Sequence, residues 1–545
     1  MPPPVPVESP YVFPTVSPTP EITPIPIPSP TNDPLQQPPP GIQPTKATLP
    51  QVLQRYQASL GQPAQHVSSS READAMTGFG LAGSHTEVQS GQDYVETTTL
   101  GPATTQSGRV NGQKWEMNQN GYVRLITGIH QEDDVSAQAI RRSLSGLPSE
   151  YVKLLGQVDA PIMAYVVEVN PPRGRHEWYF FDRTTGRLVR LEEARVDRRV
   201  AFTYDDFRTT NGMVEPWHVH RTDGYDANTM DWRTTSLKYN GTVAPSELSM
   251  PSSRTVVEFP TGVTSVRLPA RRDGSKIVVR VTIGSRGLDL ILDSGSAGIV
   301  IDRDVVKQLG LTTFGESTES VAGTFERSSA IVPDMRIGSL AMHNVIVDSL
   351  PMNYQAGYDT RIVGLLGYDF LAGVVAKIDY LHGTVDAIAP GAFRAPEGRV
   401  FETPIALDDA IPMVEAGIGD SMGANFGVDT GSSEVVVFSK FAETHAADVP
   451  LDLIKTPKGM TMYAIVAGGV GGTMLLVPSS ISAFQFAGLR LTGFVVFRVV
   501  AAPSFEGEDT DGLIGYEFLA LFDVYLDYPD GTLLLQINRL GQMGT

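Results

Sequence analysis

The chain has 545 residues, 41% hydrophobic and 19% charged, which is enough apolar material for about three or four folded units and excludes global disorder. Its formal charge of −19 argues against a general nucleic-acid binder, because phosphate recognition needs an excess of clustered Lys and Arg. It contains no cysteine, which excludes disulfide scaffolds, thiol nucleophiles and cysteine-ligated metals.

The first segment of the chain is dominated by proline. Eighteen of the 40 prolines lie within the first 50 residues, a density that favours polyproline II and predicts an extended, disordered leader over 1–45. The sequence as given shows no signal peptide at its start. No apolar run reaches the roughly 20 residues that a membrane-spanning helix needs, so we expect no membrane span.

Residues 46–245 predict a β-rich domain that opens with a helix. Apolar residues recur at helical spacing between Thr48 and Gly61, and short alternating segments separated by Asn-Gly turns follow. The helix and the strand rhythm around DRTTGRLVRLEE resemble the half-barrel of bacterial lipoprotein-carrier proteins. That resemblance implies a cavity for an apolar ligand, but we favour a packed accessory domain. The Pro-, Ser- and Thr-rich residues 246–262 predict a linker.

An internal repeat marks the C-terminal half. The motif at 364–371, GLLGYDFL, recurs at 512–519 as GLIGYEFL, and a further glycine, Gly383 or Gly531, lies 19 residues after the first glycine of each copy. Because the spacing is equal while the residues in between differ, the pattern indicates two copies of one structural unit. Upstream, Asp293 and Asp429 each end an apolar strand and open the tight turns DSGS and DTGS.

These paired motifs resemble a retropepsin-type aspartic peptidase duplicated within one chain, over residues 263–540. The resemblance implies a mainly β, bilobal, pepsin-like fold, with lobe 1 over 263–395 and lobe 2 over 396–545. It implies Asp293 and Asp429 as the catalytic pair, and Ser294 and Thr430 as hydroxyls that interlock beneath it.

The resemblance also assigns the neighbouring residues of each turn. Ser296 and Ser432 correspond to hydroxyls that bond the outer oxygens of the aspartates. Gly295 and Gly431 let backbone N–H groups approach the carboxylates. Glycines expected in flexible, substrate-covering flaps are Gly323, Gly468, Gly469, Gly471 and Gly472.

Two carboxylates that share a proton provide a general base for water and a general acid for the leaving amine. The sequence thus predicts an aspartic endopeptidase acting on a peptide or protein, with no cofactor or metal and one intrachain site in a monomer. Pairing of copies from separate chains is the alternative within this class. The alternative from another class is an apolar-ligand or lipid-binding envelope protein with a catalytically silent peptidase-like scaffold. The sequence leaves open whether the N-terminal domain restrains the peptidase until it is cleaved.

Three weaker features receive structural interpretations. The GxSxG pattern at 419–423 and the GxGxxG pattern at 78–83 are interpreted as turns, since neither lies in the strand–turn–helix context of a functional motif. His218 and His220 share one strand face but have no evident third metal ligand. Extracytoplasmic (periplasmic or secreted) residence is expected from the leader and the family resemblance.

Overall fold

The protein is built mainly of β-strands. The computed structural model describes residues 35–61, 67–126, 134–144, 146, 150–172, 174–195, 198–320, 324–352, 361–451, 465–469, 472–501 and 510–544. None of the helices within these ranges has the length and apolar character that a bilayer crossing requires.

In the part of the N-terminal domain that the structure describes, one antiparallel sheet packs with two α-helices. The helices are α1 (Leu49–Ser59) and α2 (Asp134–Leu144). The strands are β1 (Ser69–Gly78), β2 (Leu81–Ser90), β3 (Asp93–Leu100), β4 (Ala103–Val110), β5 (Gln113–Met117), β6 (Val123–Leu125), β7 (Val152–Val158), β8 (Ala164–Val169), β9 (Glu177–Asp182), β10 (Leu188–Ala194), β11 (Arg199–Thr210), β12 (Met213–Thr222) and β13 (Met230–Tyr239). They follow the order β6-β5-β4-β3-β2-β1-β13-β12-β11-β10-β9-β8-β7.

Local sequence explains the opening helix. Gln51 Oε1 accepts the Thr48 N–H at 2.9 Å, and Pro50 occupies the first turn, where no backbone donor is required. Val52 and Leu53 are buried against α2 and the β7–β10 end of the sheet. The predicted helix and the β-rich domain are therefore confirmed.

The last residues assigned to the leader lie against this sheet. Gln43 exchanges backbone hydrogen bonds of 2.8 and 2.9 Å with Gln157, and Arg199 donates to the carbonyls of Leu35 and Gln37. Residues 35–45 are thus part of the N-terminal domain, whereas the start of the predicted leader lies outside the described residues.

The described residues of the C-terminal half form three further sheets and five short α-helices. The helices are α3 (Arg303–Gln308), α4 (Tyr368–Leu371), α5 (Ser439–Thr444), α6 (Tyr516–Leu519) and α7 (Arg539–Gly544). The strands of lobe 1 are β14 (Ser265–Arg267), β15 (Ala270–Asp273), β16 (Lys276–Ile283), β17 (Arg286–Leu292), β18 (Ile299–Asp302), β19 (Thr313–Ser320), β20 (Thr324–Ile337), β21 (Leu340–Leu350), β22 (Ile362–Leu366), β23 (Val375–Asp379) and β24 (Thr384–Ile388).

Lobe 2 repeats much of this pattern. Its strands are β25 (Val400–Pro404), β26 (Ala406–Asp408), β27 (Ile411–Ile418), β28 (Ser421–Val428), β29 (Val436–Val437), β30 (Ile465–Gly469), β31 (Gly472–Ser480), β32 (Phe484–Phe486), β33 (Leu489–Leu491), β34 (Val495–Ala501), β35 (Gly512–Ile514), β36 (Phe522–Asp527) and β37 (Thr532–Ile537). Strands β15–β22 form the lobe 1 sheet, and β26–β35 form the lobe 2 sheet.

A sheet of six strands joins the two lobes. Its order is β14-β24-β23-β36-β37-β25, and the junction is the antiparallel pair β23–β36. One continuous apolar core runs from lobe 1 into lobe 2. Because the lobes share a sheet and a core, the turns that carry Asp293 and Asp429 are held in a fixed relation.

The N-terminal β-rich domain has a sheet of its own and packs on lobe 1. Asn120 accepts the Ile346 N–H at 2.8 Å and donates to the Ile346 carbonyl at 2.9 Å. Tyr122 is buried in the core that the two lobes share. Val256 and Val257, from the predicted linker, are buried in the same core. Burial of these side chains ties the two parts into one packed unit.

Candidate active site

Two equivalent turns place Asp293 and Asp429 at the centre of the C-terminal half. Strand β17 ends at Leu292 beside the parallel strand β22, and the Asp293 N–H donates to the Leu366 carbonyl at 3.1 Å. In lobe 2, β28 runs parallel to β35, and the Asp429 N–H donates to the Ile514 carbonyl at 3.0 Å. The repeated glycine motif therefore supplies the strand beside each aspartate.

The turn glycines hold the two carboxyl groups. Gly295 donates its N–H to Asp293 Oδ1 at 2.9 Å, and Gly431 donates its N–H to Asp429 Oδ1 at 2.7 Å. Ser432 adds a second backbone donor to Asp429 Oδ1 at 3.0 Å. Asp293 and Asp429 are only 8% and 9% exposed, so backbone donors replace most of their hydration.

Each turn also approaches the carboxyl group of the other lobe. A Cβ atom on Gly295 would lie 2.6 Å from Asp429 Oδ1, and one on Gly431 would lie 2.6 Å from Asp293 Oδ2. Any side chain at either glycine would therefore collide with the opposite aspartate. This close approach explains why both turns require glycine.

Proximity and burial perturb the proton affinity of the pair. Burial raises the pKa of Asp293 well above its ordinary range, and the Asp429 charge and a hydrogen bond between the two carboxyl groups raise it further. Two carboxylates this close and this buried cannot both ionise easily, so they titrate as a pair. The arrangement can hold one protonated and one ionised carboxyl group together.

Ser294 and Thr430 interlock beneath the pair, as the resemblance implied. Thr430 Oγ1 accepts the Ser294 N–H at 2.9 Å and donates to the Leu292 carbonyl at 2.8 Å. Reciprocally, Ser294 Oγ accepts the Thr430 N–H at 3.0 Å and donates to the Val428 carbonyl at 2.6 Å. Both residues are fully buried, so four hydrogen bonds between the lobes are shielded from water.

The hydroxyls of Ser296 and Ser432 do not fill their implied role. Ser296 Oγ donates to the Gly298 carbonyl at 2.9 Å, and Ser432 Oγ donates to the Glu434 carbonyl at 3.1 Å. A hydroxyl has one proton to donate, so neither serine donates to an aspartate in this structure. They stabilise the turns instead.

Sequence reasoning missed a buried lysine beside the pair. Lys276 is 5% exposed, and its Nζ donates to the Gly431 carbonyl and, at 2.9 Å, to Ser433 Oγ. Burial lowers the pKa of Lys276, whereas Asp429, Glu434 and Asp293 raise it. The lysine joins a lobe 1 strand to the lobe 2 turn and places a cation close to the dyad. The sequence offered one signal for this residue, since Lys276 is the first residue of the apolar strand β16.

Four tyrosines pair crosswise near the dyad. Tyr368 and Tyr516 come from the two glycine motifs, and Tyr380 and Tyr528 come from the segments that follow. Tyr368 packs edge to face on Tyr528 with centroids 5.6 Å apart, and Tyr380 packs similarly on Tyr516 at 5.5 Å. Each tyrosine thus contacts a tyrosine of the other repeat copy, which binds the copies together.

The predicted flaps are described only in part. Gly468 and Gly469 lie in β30 and Gly472 in β31, which form an antiparallel hairpin of lobe 2. Gly323 and Gly471 lie outside the described residues. The corresponding lobe 1 hairpin consists of β19 and β20.

The histidine pair of the N-terminal domain has carboxylate partners. His218 contacts Asp205 at 2.8 Å and Asp231 at 2.7 Å, and His220 contacts Asp231 at 3.4 Å. Over the residues that the structure describes, no group of three His, Cys, Asp or Glu side chains could hold a metal ion. Both histidines therefore contact carboxylates of the neighbouring strands.

Comparisons with known proteins place residues 279–370 in a match to the family model described as aspartyl protease. No curated protein matches the sequence. Among solved structures, the aspartic proteinase from Irpex lacteus is similar over 52% of this chain and 100% of its own, with 16% identity and a TM-score of 0.32. The putative outer membrane lipoprotein-sorting protein domain from Vibrio parahaemolyticus is similar over 36% of this chain and 95% of its own, with 9% identity and a TM-score of 0.26.

Proposed function

We propose that the protein is an aspartic endopeptidase in which Asp293 and Asp429 activate a water molecule. The observation that carries the proposal is the buried carboxyl pair, which two equivalent turns of one chain bring together. The aspartyl protease family match over 279–370 includes the first turn and the glycine motif beside it. It supports assignment to the hydrolases of aspartic type.

The chemistry follows from the shared proton. The ionised carboxylate takes a proton from water as the oxygen attacks the peptide carbonyl, and the protonated carboxyl donates its proton to the carbonyl oxygen. As the tetrahedral intermediate collapses and the C–N bond breaks, the carboxyl that took the water proton gives it to the leaving amine, and the other carboxylate takes back the proton that it had given to the carbonyl oxygen. One new carboxyl and one new amine result, and the pair returns to its singly protonated state.

The structural relation of the lobes supports a peptide substrate lying extended between them. Because both aspartates belong to one chain, the proposal needs no second copy to complete the dyad. We also propose extracytoplasmic residence, on the basis of the proline-rich segment and the family resemblance.

The ligand-carrier alternative is less well supported. The strand register places the His85 side chain and its polar neighbours on one face of the N-terminal sheet. The helices α1 and α2 cover the same face at the β7–β10 end of the sheet. His85 contacts Asp74 at 2.8 Å and Glu96 at 3.6 Å there. Burial chiefly raises the pKa of the neighbouring Glu72 to about 7. A face this rich in ionisable groups opposes binding of an apolar ligand.

The proposed mechanism is tested by cleavage of a peptide library in water enriched in ¹⁸O, using short incubations. Direct attack by water predicts that one labelled oxygen enters each new carboxyl terminus. Asp293→Asn should abolish both cleavage and labelling, while Asp420→Asn, which alters a fully exposed carboxylate of lobe 2, should leave them intact. Cleavage that persists in Asp293→Asn would overturn the proposal.

A further inference from the structure

The outer strand of the lobe 1 hairpin is held by the N-terminal domain. Strand β19 is the last strand of the lobe 1 sheet, so among the described strands of that sheet none pairs with its outer edge. A bulge at Gly315, with φ of +65°, shifts the register between Phe314 and Glu316. Exposed edges of this kind offer N–H and C=O groups to another segment.

Asn228 binds both backbone groups of one residue on that edge. Its Oδ1 accepts the Thr318 N–H at 2.7 Å, and its Nδ2 donates to the Thr318 carbonyl at 2.7 Å. Arg198 Nη1 donates to the same carbonyl at 3.3 Å. A side-chain amide offers a donor and an acceptor together, so Asn228 pairs with the edge as a neighbouring strand would.

The groups behind Asn228 fix its orientation. Asp223 Oδ2 accepts from Asn228 Nδ2 and from Arg198 Nη1, both at 2.8 Å. The side chain of Asp223 is 3% exposed and Asn228 is 4% exposed. A buried, charge-assisted network of this kind has a single arrangement, which favours a permanent anchor over a transient contact.

A second contact lies two residues away on the same edge. The Glu316 N–H donates to the Phe79 carbonyl at 2.8 Å. Phe79 and Gly80 form the turn between β1 and β2, with φ of +53° and +74°. A left-handed phenylalanine is unfavourable in such a turn, where Asn, Asp or Gly is usual, so the contact retains a strained residue.

The held hairpin connects to the catalytic turn. Phe325, at the start of β20, packs in one buried cluster with Val300, Leu350 and Leu365. Leu365 precedes Leu366, whose carbonyl accepts the Asp293 N–H. A displacement of the hairpin would therefore disturb packing directly beside the dyad.

We propose that the N-terminal domain positions the peptidase cleft. It does so by binding the outer edge of β19 through Phe79, Arg198 and Asn228. We call these three residues the clamp. The role in substrate binding rests on the proposed peptidase function, whereas the mechanical role does not. The domain is thus an integral part of the cleft wall.

Hydrogen exchange of the full chain tests the mechanical role without any substrate. Asn228→Ala should accelerate exchange in peptides covering β19 by about tenfold or more, as expected from the loss of two hydrogen bonds. Exchange in β22, which carries Leu365, should rise as well. The matched control is Asp226→Ala, an exposed residue of the same turn, which should leave both strands unchanged. Unchanged exchange in β19 or in β22 of Asn228→Ala would overturn the proposal.

Steady-state kinetics test the role in substrate binding. With a peptide that the wild type cleaves, Asn228→Ala should lower kcat/KM by about tenfold, mainly through a higher KM. Faster cleavage by the variant would mean that the domain restrains the peptidase, and unchanged kinetics would mean that the clamp does not position the cleft. If the wild type cleaves nothing, the peptidase function fails, and the exchange results still decide the mechanical role.

A second variant covers the case in which Asn228→Ala does not fold. Thr318→Pro removes the backbone donor from the peptidase side, at an edge where proline is tolerated because the N–H points away from the sheet. It should accelerate exchange in β20 and β22 while leaving the sheet of the N-terminal domain protected. Wild-type exchange in β20 and β22 would contradict the proposal.

Discussion

The interlock beneath the dyad yields a stability prediction with a matched control. Thr430→Val preserves shape but removes the oxygen that bonds the Ser294 N–H and the Leu292 carbonyl. Both backbone groups are buried, so each is left unsatisfied at a cost of about 1–3 kcal/mol. The free energy of unfolding should therefore fall by about 2–6 kcal/mol. Thr430→Ser keeps the hydroxyl and loses one methyl group, which should cost about 1 kcal/mol.

Urea unfolding, followed by fluorescence and circular dichroism, measures this difference, and coincident transitions with equal m-values would permit the comparison. Ser294→Ala removes the reciprocal oxygen, which bonds the Thr430 N–H and the Val428 carbonyl, and should cost a similar amount. The reasoning is refuted if Thr430→Val is no less stable than Thr430→Ser.

Three further predictions concern buried charges. Lys276→Met removes a cation that lowers the pKa of Asp293, so the alkaline limb of the pH–rate profile should move to higher pH; a limb that stays in place or moves down would contradict this. Burial raises the pKa of Asp369 to about 6. The protonated carboxyl group therefore contributes its full stability below about pH 4, and up to about 3 kcal/mol of the free energy of unfolding is lost as pH rises through 6. Urea titrations should show this loss in the wild type and not in Asp369→Asn. Although burial lowers it, bonds to Asp74 and Glu96 raise the pKa of His85 to about 10, so thermal scans from neutral pH upward should show a fall in Tm as pH approaches 10 that His85→Gln lacks.

Local patterns predicted much of the fold and of the dyad, because they depend on nearby residues. The helix at Leu49–Ser59 follows from its apolar spacing and from Pro50 and Gln51. The two aspartate turns were predicted from the recurring glycine motif, whose equal spacing in both halves indicated matching surroundings. Repetition made the assignment specific where a single Asp-Ser-Gly triplet would have had little value.

Long-range contacts could not be read in this way. Lys276 lies 155 residues from Gly431, whose carbonyl it binds, and Asn228 lies 90 residues from Thr318. Neither carries a local pattern that names its partner. The same limitation applies to the contact between the N-terminal domain and lobe 1, since Asn120 gives no sign in the sequence that it binds Ile346.

The hydroxyls of Ser296 and Ser432 show a different limit. Their positions in the turns were predicted correctly, but a hydroxyl can rotate among several acceptors within reach. The nearby carbonyls of Gly298 and Glu434 take those bonds. Residue type and spacing therefore located the side chains without determining their partners.

Cleavage of a mixed peptide library, read by mass spectrometry between about pH 3 and pH 8, tests the central claim most directly. Wild type and Asp420→Asn should produce the same set of cut sites, and Asp293→Asn and Asp429→Asn should produce none while remaining folded. The absence of cleavage by the wild type throughout this range, or equal cleavage by either dyad variant, would contradict the account.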